Sequence, residues 1–342
     1  LDASKAYNEI HSSSLIIETL GPSKRMGVLD PESVDEQWQS QYYTSKSTGF
    51  SSTSSSSSAA ALPPLQSIIN SFDFEEVSKG FLTPKTWAFY SSAATDLITM
   101  RANRSFLDSI WFRPRGLVNV RKVSTRSKIL GINVDLPLFV APAALAKLAH
   151  PEGEKALAKS CERTGIPQCV SLFCRHPQAS RRTADLGKIS TNASYSLSEV
   201  AQAASKDTPL FFQLYVNKDR AKSAALVAQA EQLGIKAIFL TIDAPDPGKR
   251  EADERVKSDQ AFNIPMTGQS TTNDKKGGGV ARTTGAFIDD SLTWEIIDWL
   301  KGCTKLPLVI KGVQSAADAK RAMEAGVAGI VVSNHGGRCL DT

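Results

Sequence analysis

Residues 306–334 read L-P-L-V-I-K-G-V-Q-S-A-A-D-A-K-R-A-M-E-A-G-V-A-G-I-V-V-S-N, and their reading decides the fold. The run 306–311 is apolar on both alternating faces, which suits a strand covered on both sides rather than one with a wet face. Residues 315–325 repeat apolar side chains at helical spacing, and 329–334 return to an apolar strand-like run. Strand, helix and strand in this order form a parallel β/α unit whose helix covers the sheet.

Working outward, the same alternation recurs toward the N-terminus. P-L-F-V-A-P (137–142), F-F-Q-L-Y (211–215) and A-I-F-L-T-I-D (237–243) are expected strands, with another near 167–170 or 188–191. Helical patterns occupy 152–165, 219–233 and 292–302. No strand is followed by a G-x-G-x-x-G turn, which favours a (β/α)8 TIM barrel over a doubly wound sheet. About six β/α units are legible where a closed barrel has eight, so the α/β barrel is expected to be incomplete. The connection 245–290 is long and polar, and such connections usually serve as lids or mobile loops.

Composition sets the outer limits. Of 342 residues, 41% are apolar, ample for one large core and a smaller piece. Residues 44–61 are a Ser-rich run that cannot bury enough surface to fold. Residues 41–61 are therefore expected as a flexible linker between a mixed segment, 1–40, and a globular part, 62–342. The net charge of +5, without any Lys/Arg-rich run, argues against a nucleic-acid partner. No apolar stretch approaches the roughly 20 residues needed to span a membrane. Five cysteines lie without ligand spacing, which argues against a disulfide framework. The chain opens on Leu1 with no charged-then-apolar leader, so a targeting signal is expected to lie outside it.

Barrel chemistry gathers at the C-terminal ends of strands. Tyr215, Asp243, Lys311 and His335 stand at or just beyond such ends. Histidine is the natural general base near neutral pH, and a carboxylate beside it would stabilise its protonated form. Lys311 can hold an anionic atom of cofactor or substrate, or form a Schiff base. Arg338, three residues after His335, offers a planar fork suited to a carboxylate. The substrate so defined is a small organic acid that loses a proton. Blander readings stay open: Tyr215 and Thr241 as strand caps, Lys311 as a snorkelled surface residue, Asp243 before Ala-Pro as a turn former, His150 as a helix-entry residue. A Schiff-base aldolase using Lys311 as nucleophile also stays open.

The motifs W-A-F-Y-S-S-A-A-T-D, F-R-P-R, A-H-P-E-G-E, F-F-Q-L-Y-V, T-I-D-A-P, K-R-E-A-D, V-I-K-G-V and S-N-H-G-G-R follow one another in order. Over roughly 62–342 they resemble the FMN-dependent 2-hydroxy-acid oxidase and dehydrogenase family, most of all its fungal cytochrome-linked L-lactate branch. L-P-P-L-Q-S-I-I-N-S-F-D-F and the N-terminal D-A-S-K-A-Y-N-E-I-H and L-G-P-S-K-R-M-G resemble that branch's domain junction and the tail of its cytochrome-b-type haem domain.

The resemblance implies His335 as base, Asp243 as stabiliser of its imidazolium, Arg338 on the substrate carboxylate and Tyr215 on the substrate hydroxyl. It implies Lys311 beside flavin N1, and Ala144, Ser190, Gln213 and Thr241 against the flavin ring. Arg250 matches a second active-site arginine, and His11 matches an axial ligand of haem b. The activity implied is oxidation of an L-2-hydroxy acid such as L-lactate, with FMN passing electrons through haem to cytochrome c. Oxygen as acceptor and an inactive fragment are the alternatives. The branch further implies a homotetramer in the mitochondrial intermembrane space.

Several positions depart from the family pattern. Phe89 stands where a carboxylate-binding tyrosine is usual, removing a hydrogen bond to a charged group that is worth about 1.5–3 kcal/mol. Cys339 replaces a usual glutamine. Residues 169–188 look like an insertion into a barrel strand, the mark expected of a retained intron, and Cys169, Cys174 and His176 within them are a weak metal set. The phosphate-binding loops that follow in the family are not found before Thr342, and the haem-domain segment lacks its His-Pro-Gly-Gly half.

Overall fold

The computed structural model describes residues 62–171, 195–257, 262–264, 269–271, 279–285 and 287–342. The chain divides into two units at Ala61/Leu62, and the second is described here. His11, Ser190, Cys174, His176 and the segments 1–40 and 41–61 fall outside the described residues.

Three helices precede the barrel: α1 (Ser71–Phe81), α2 (Pro84–Ser91) and α3 (Ile98–Asp108). Helix α1 starts at Asn70, whose side chain accepts from the backbone N–H of Asp73 while Asp73 accepts from that of Asn70. This reciprocal box satisfies donors that a helix start leaves free. Thr83 caps α2, with Pro84 at the position where a missing N–H costs nothing. A small antiparallel hairpin, β1 (Ser127–Ile129) and β2 (Ile132–Val134), follows.

The barrel part runs α4 (Gly153–Thr164), β3 (Gln168–Ser171), α5 (Leu197–Ala203), β4 (Leu210–Leu214), α6 (Arg220–Gln232) and β5 (Ile238–Thr241). It continues through α7 (Glu251–Arg255), a two-stranded ladder β6 (Phe262–Ile264) and β7 (Gln269–Thr271), and α8 (Val280–Gly285). It then passes α9 (Ile296–Cys303), β8 (Leu308–Val313), α10 (Ala316–Glu324) and β9 (Gly329–Val332). Strands β3, β4, β5, β8 and β9 form one sheet in that order, parallel throughout. With helices as crossovers, this is an arc of a (β/α)8 barrel.

Side chains alternate across the sheet and build two layers of core. Leu214, Ile238, Leu240 and Ile310 face the helices, meeting Val200, Val227, Ile297 and Leu300. Cys169, Phe211, Phe239 and Val309 face the other side, where Phe139 and the β1–β2 hairpin pack on them. The rings of Phe211 and Phe239 stack at 5.1 Å, and Phe139 meets Phe211 edge-on at 6.2 Å.

Four expectations are corrected. The strand expected at 137–142 shrinks to a single parallel bridge, Val140 with Gln168. Pro137 and Pro142 withhold ladder donors at its ends. The connection 245–290 is no featureless loop, since it holds α7, the β6–β7 ladder and α8. Cys169, Val170 and Ser171, read as the start of an insertion, lie fully inside the buried sheet as part of β3. Finally, β9 is covered less than its apolar run implies, with Val332 78% exposed at the sheet's outer edge.

Candidate active site

The strand ends converge as the chain order requires. Tyr215 follows β4, Asp243 lies two residues past β5, Lys311 lies within β8, and His335 follows β9 by three residues. The register pairs Thr241 with Lys311 and so levels the ends of β5 and β8. His335 Nδ1 lies 2.6 Å from Asp243 Oδ1, and His335 Nε2 lies 3.2 Å from the Tyr215 hydroxyl. Lys311 Nζ donates to Asp243 Oδ2 at 3.4 Å. Because a carboxylate only accepts, Nδ1 carries the imidazole proton and Nε2 presents its lone pair toward Tyr215.

The charges support this assignment. Burial alone would raise the Asp243 carboxyl, but the hydrogen bond and charge of His335, together with Lys311, carry it below its ordinary value. Burial pushes the His335 imidazole below its ordinary value, and the charges of Lys311 and Arg250 add to that against the opposing pull of Asp243. His335 is therefore neutral at pH 7 and free to accept a proton at Nε2. Burial raises the Tyr215 phenol, so it stays protonated and able to donate.

The turn carrying His335 is held from both sides. His335 has φ +58, a conformation few residues other than glycine adopt. Its N–H donates to Ser333 Oγ at 3.0 Å. Asn334 accepts from Gly337 N–H and exchanges amide hydrogen bonds of 2.6 and 3.0 Å with Asn103 of α3. Gly337 is needed here, because a Cβ would come within 2.7 Å of Met100 N. Asp341 returns to α3 and accepts from the N–H groups of Ile98 and Thr99. On the opposite side, Gly312 at φ +111 makes room for Asp243, whose Cβ would lie 2.5 Å from an added Cβ.

Arg338 donates to the carbonyls of Phe89 and Tyr90, each at 2.6 Å, with its guanidinium over the Phe89 ring. Arg250 Nε donates to the carbonyl of Arg338 at 3.2 Å. Burial and the neighbouring Arg250 push Arg338 down to about 10, which still leaves a cation at neutral pH. Phe89 is buried and packs edge-on against Tyr90, whose hydroxyl donates to the carbonyl of Leu145. The wall beside the arginines is therefore apolar where a hydroxyl was usual.

A buried chain of polar groups backs this site. Ser171 Oγ donates to Gln213 Oε1 at 2.7 Å, and Gln213 Nε2 donates to Thr241 Oγ1 at 2.9 Å. Ser171 was not among the expected site residues, while Ser190, the serine expected against the flavin ring, lies outside the described residues. The apolar-serine pattern Val170-Ser171 is the same one that Ile189-Ser190 carries, so it did not single Ser171 out. His150 is a helix-entry residue, its Nδ1 accepting from Glu152 N–H just before α4. Among the described residues no three His, Cys, Asp or Glu side chains could hold a metal ion.

Phe89, Tyr90, Ala144, Ser171, Tyr215, Lys311, His335, Arg338 and Cys339 line one cavity of about 340 Å³. Gln213 and Thr241, both buried, connect to this cavity through Ser171. The donor set fits a flat, carbonyl-rich ring such as a flavin. Lys311 and Ser171 offer polar contacts on one side, and the backbone of Ala141 to Ala144 offers a smooth apolar face.

A neutral histidine backed by a buried carboxylate, beside two arginines at the ends of parallel strands, is an arrangement able to accept a proton and to pair with an acidic group. The chain belongs to the FMN-dependent dehydrogenase family, whose model matches residues 78–185 and 178–342. The two matched stretches meet within the segment read as an insertion. The chain is 39% identical to an L-lactate dehydrogenase (cytochrome) of Saccharomyces cerevisiae across 99% of its own length and 55% of that protein's. A glycolate oxidase of Arabidopsis thaliana is 38% identical, with 80% of this chain and 70% of that one covered. Among solved structures, the flavin-binding domain of baker's yeast flavocytochrome b2 matches with a TM-score of 0.66 at 39% identity, covering 90% of this chain and 66% of that one. A mandelate oxidase matches with a TM-score of 0.66 at 31% identity, covering 79% and 71%. The chain thus spans about half the length of the curated yeast relative it matches.

Proposed function

We propose that this chain carries the FMN-dependent oxidation of an L-2-hydroxy acid, of which L-lactate is the first candidate. The observation that carries the reading is the Tyr215–His335–Asp243 relay, closed by Lys311 and facing Arg338 and Arg250 across one cavity. Oxidation of the hydroxy acid to the 2-oxo acid removes two electrons and two protons. His335 Nε2 takes one proton, and Asp243 stabilises the imidazolium so formed. The electron pair with the other proton would pass to a flavin held in the cavity. Tyr215 donates to the substrate hydroxyl, while Arg338 and Arg250 orient the carboxylate. Lys311, Ser171 and the backbone around Ala144 would hold FMN, with Gln213 and Thr241 fixing Ser171 from behind. When bound, FMN supplies the two-electron acceptor. Lys311 would stabilise negative charge on a flavin held there.

For the electron acceptor the relatives support two readings. Similarity to the yeast L-lactate dehydrogenase (cytochrome) across 99% of the chain favours transfer through haem b to cytochrome c in the mitochondrial intermembrane space. His11 would then be a haem ligand, and the assembly a homotetramer. Similarity to glycolate oxidases supports oxygen as the second reading. No helix of the described residues is long and apolar enough to cross a membrane.

The test is anaerobic mixing of the FMN-loaded chain with L-lactate, followed by flavin absorbance. Bleaching by L-lactate and not by D-lactate is expected. Reoxidation by oxygen faster than by cytochrome c would favour the second reading, and absence of bleaching with any 2-hydroxy acid would overturn both.

A further inference from the structure

The motif A-H-P-E-G-E (149–154) contributes nothing to the chemistry described above, yet its last residue reaches the turn behind the cavity wall. Glu154 is 1% exposed in the first turn of α4, and its Oε1 accepts from the backbone N–H of Ala146 at 3.1 Å. Its Oε2 has no hydrogen-bond partner among the described residues. One hydrogen bond does not offset the hydration that a carboxylate loses on burial, so stability alone gives little reason for this residue.

Its placement gives a better one. The Tyr90 hydroxyl donates to the carbonyl of Leu145 at 2.7 Å. That carbonyl and the N–H of Ala146 belong to one trans peptide group, in which they point in opposite directions. Tyr90 of α2 and Glu154 of α4 therefore grip the Leu145–Ala146 peptide from its two sides. Gly153 brings α4 close enough for this reach, since at φ +45 an added Cβ would lie 3.0 Å from Lys147 N.

The peptide needs holding. Leu145 is buried with φ +59 and ψ +37, a left-handed conformation that costs on the order of 1–2 kcal/mol for a residue with a Cβ. Such a conformation persists only where the surroundings over-determine it. Residues Ala141 to Ala144, which line the cavity, run directly into it.

We propose that Tyr90 and Glu154 clamp the Leu145–Ala146 peptide, with Glu154 a positioning residue that holds the Ala141–Ala144 wall in the shape a flavin ring packs against. The flavin part rests on the functional reading above; the clamp does not.

The experiment compares the parent chain with Glu154→Ala, Glu154→Gln and Tyr90→Phe. Amide hydrogen exchange of peptides covering 141–150, read against those covering β4 and β5, needs no flavin. FMN affinity, by quenching of flavin fluorescence, reads the wall.

Glu154→Ala is expected to speed exchange across 141–150 about tenfold, with β4 and β5 unchanged, and to weaken FMN about tenfold, the equivalent of one lost hydrogen bond. Tyr90→Phe frees the other side of the same peptide and is expected to act in the same direction. Glu154→Gln keeps an acceptor for the Ala146 N–H and is expected to match the parent in both readouts. Unchanged exchange in Glu154→Ala overturns the proposal, and equal speeding in β4 and β5 does so by showing global destabilisation alone. A Glu154→Gln variant as impaired as Glu154→Ala would make charge rather than the acceptor the cause, which sinks the clamp. Faster exchange with unaltered FMN affinity would reduce the clamp to a structural tie and overturn its positioning role. Should Glu154→Ala fail to fold, Tyr90→Phe against the parent decides by the same two readouts. If the parent takes up no FMN while exchange responds as expected, the clamp stands and the flavin reading falls.

Discussion

His335 joins two requirements that pull against each other, a strained backbone and a neutral ring. Its φ of +58 costs on the order of 1–2 kcal/mol for a residue with a Cβ, and asparagine tolerates that conformation better. His335→Asn is expected to keep or slightly raise the melting temperature while turnover falls about 10²–10⁴-fold, read by calorimetry and steady-state kinetics side by side. The pH profile follows from the charges. His335 titrates below its ordinary value, so the acid limb of kcat/KM is expected below pH 6.5, where protonation removes the base. The alkaline limb is expected near pH 10, where Arg338 loses its charge and KM rises. Stability follows the acid side of the same logic. Asp243 has a depressed value and His335 is held neutral, so the stability each contributes is present above its ordinary value and lost as pH falls through the lowered one. A chain most stable at pH 4 would contradict the His335 shift, and one whose stability held unchanged well below pH 3.8 would contradict that of Asp243.

Among the elements, α3 decides whether the histidine turn is formed. It grips Asn334 through Asn103 and receives Asp341 at its first turn, so the turn is clipped at two points seven residues apart. Asn103→Leu removes two amide bonds and leaves Asn334 half-satisfied, with an expected loss of about 1–3 kcal/mol in unfolding free energy. Turnover should fall further than stability does, and denaturant unfolding paired with kcat measures that difference. Gly312 sits where β8 shifts register, and its conformation is one that only glycine adopts easily. Gly312→Ala would drive a methyl into Asp243, and a cost of about 1–3 kcal/mol with lost activity is expected from the same pair of measurements.

The whole described unit is an arc of parallel strands whose inner core is complete around β4, β5 and β8 and thins toward β9. Phe106, Trp111 and Phe112 are 74%, 86% and 101% exposed, and Val332 at the sheet edge is 78% exposed. Trp111 is therefore expected to be freely quenched by acrylamide, and Trp111→Phe should lower the quenchable emission. Protection of Trp111 in the parent chain would show this face covered.

Local pattern determined much of this molecule. The β/α alternation, the helix at 153–164 and the polar residues at strand ends are short-range features, and periodicity of 2 or 3.6 reports them directly. Tyr215, Asp243, Lys311 and His335 were legible because a parallel barrel places chemistry where strands stop. Tertiary structure decided what local pattern could not rank. Pairing with β4 seats Ser171 in the sheet, which no local pattern picked out. P-L-F-V-A-P looks like a strand, yet its prolines withhold ladder donors and leave a single bridge. Lys85 and Asp253, a buried ion pair, lie 168 residues apart, and no local pattern pairs them. Only packing of α2 against α7 buries them together, because the energy of a buried charge depends on which partner the fold brings within reach.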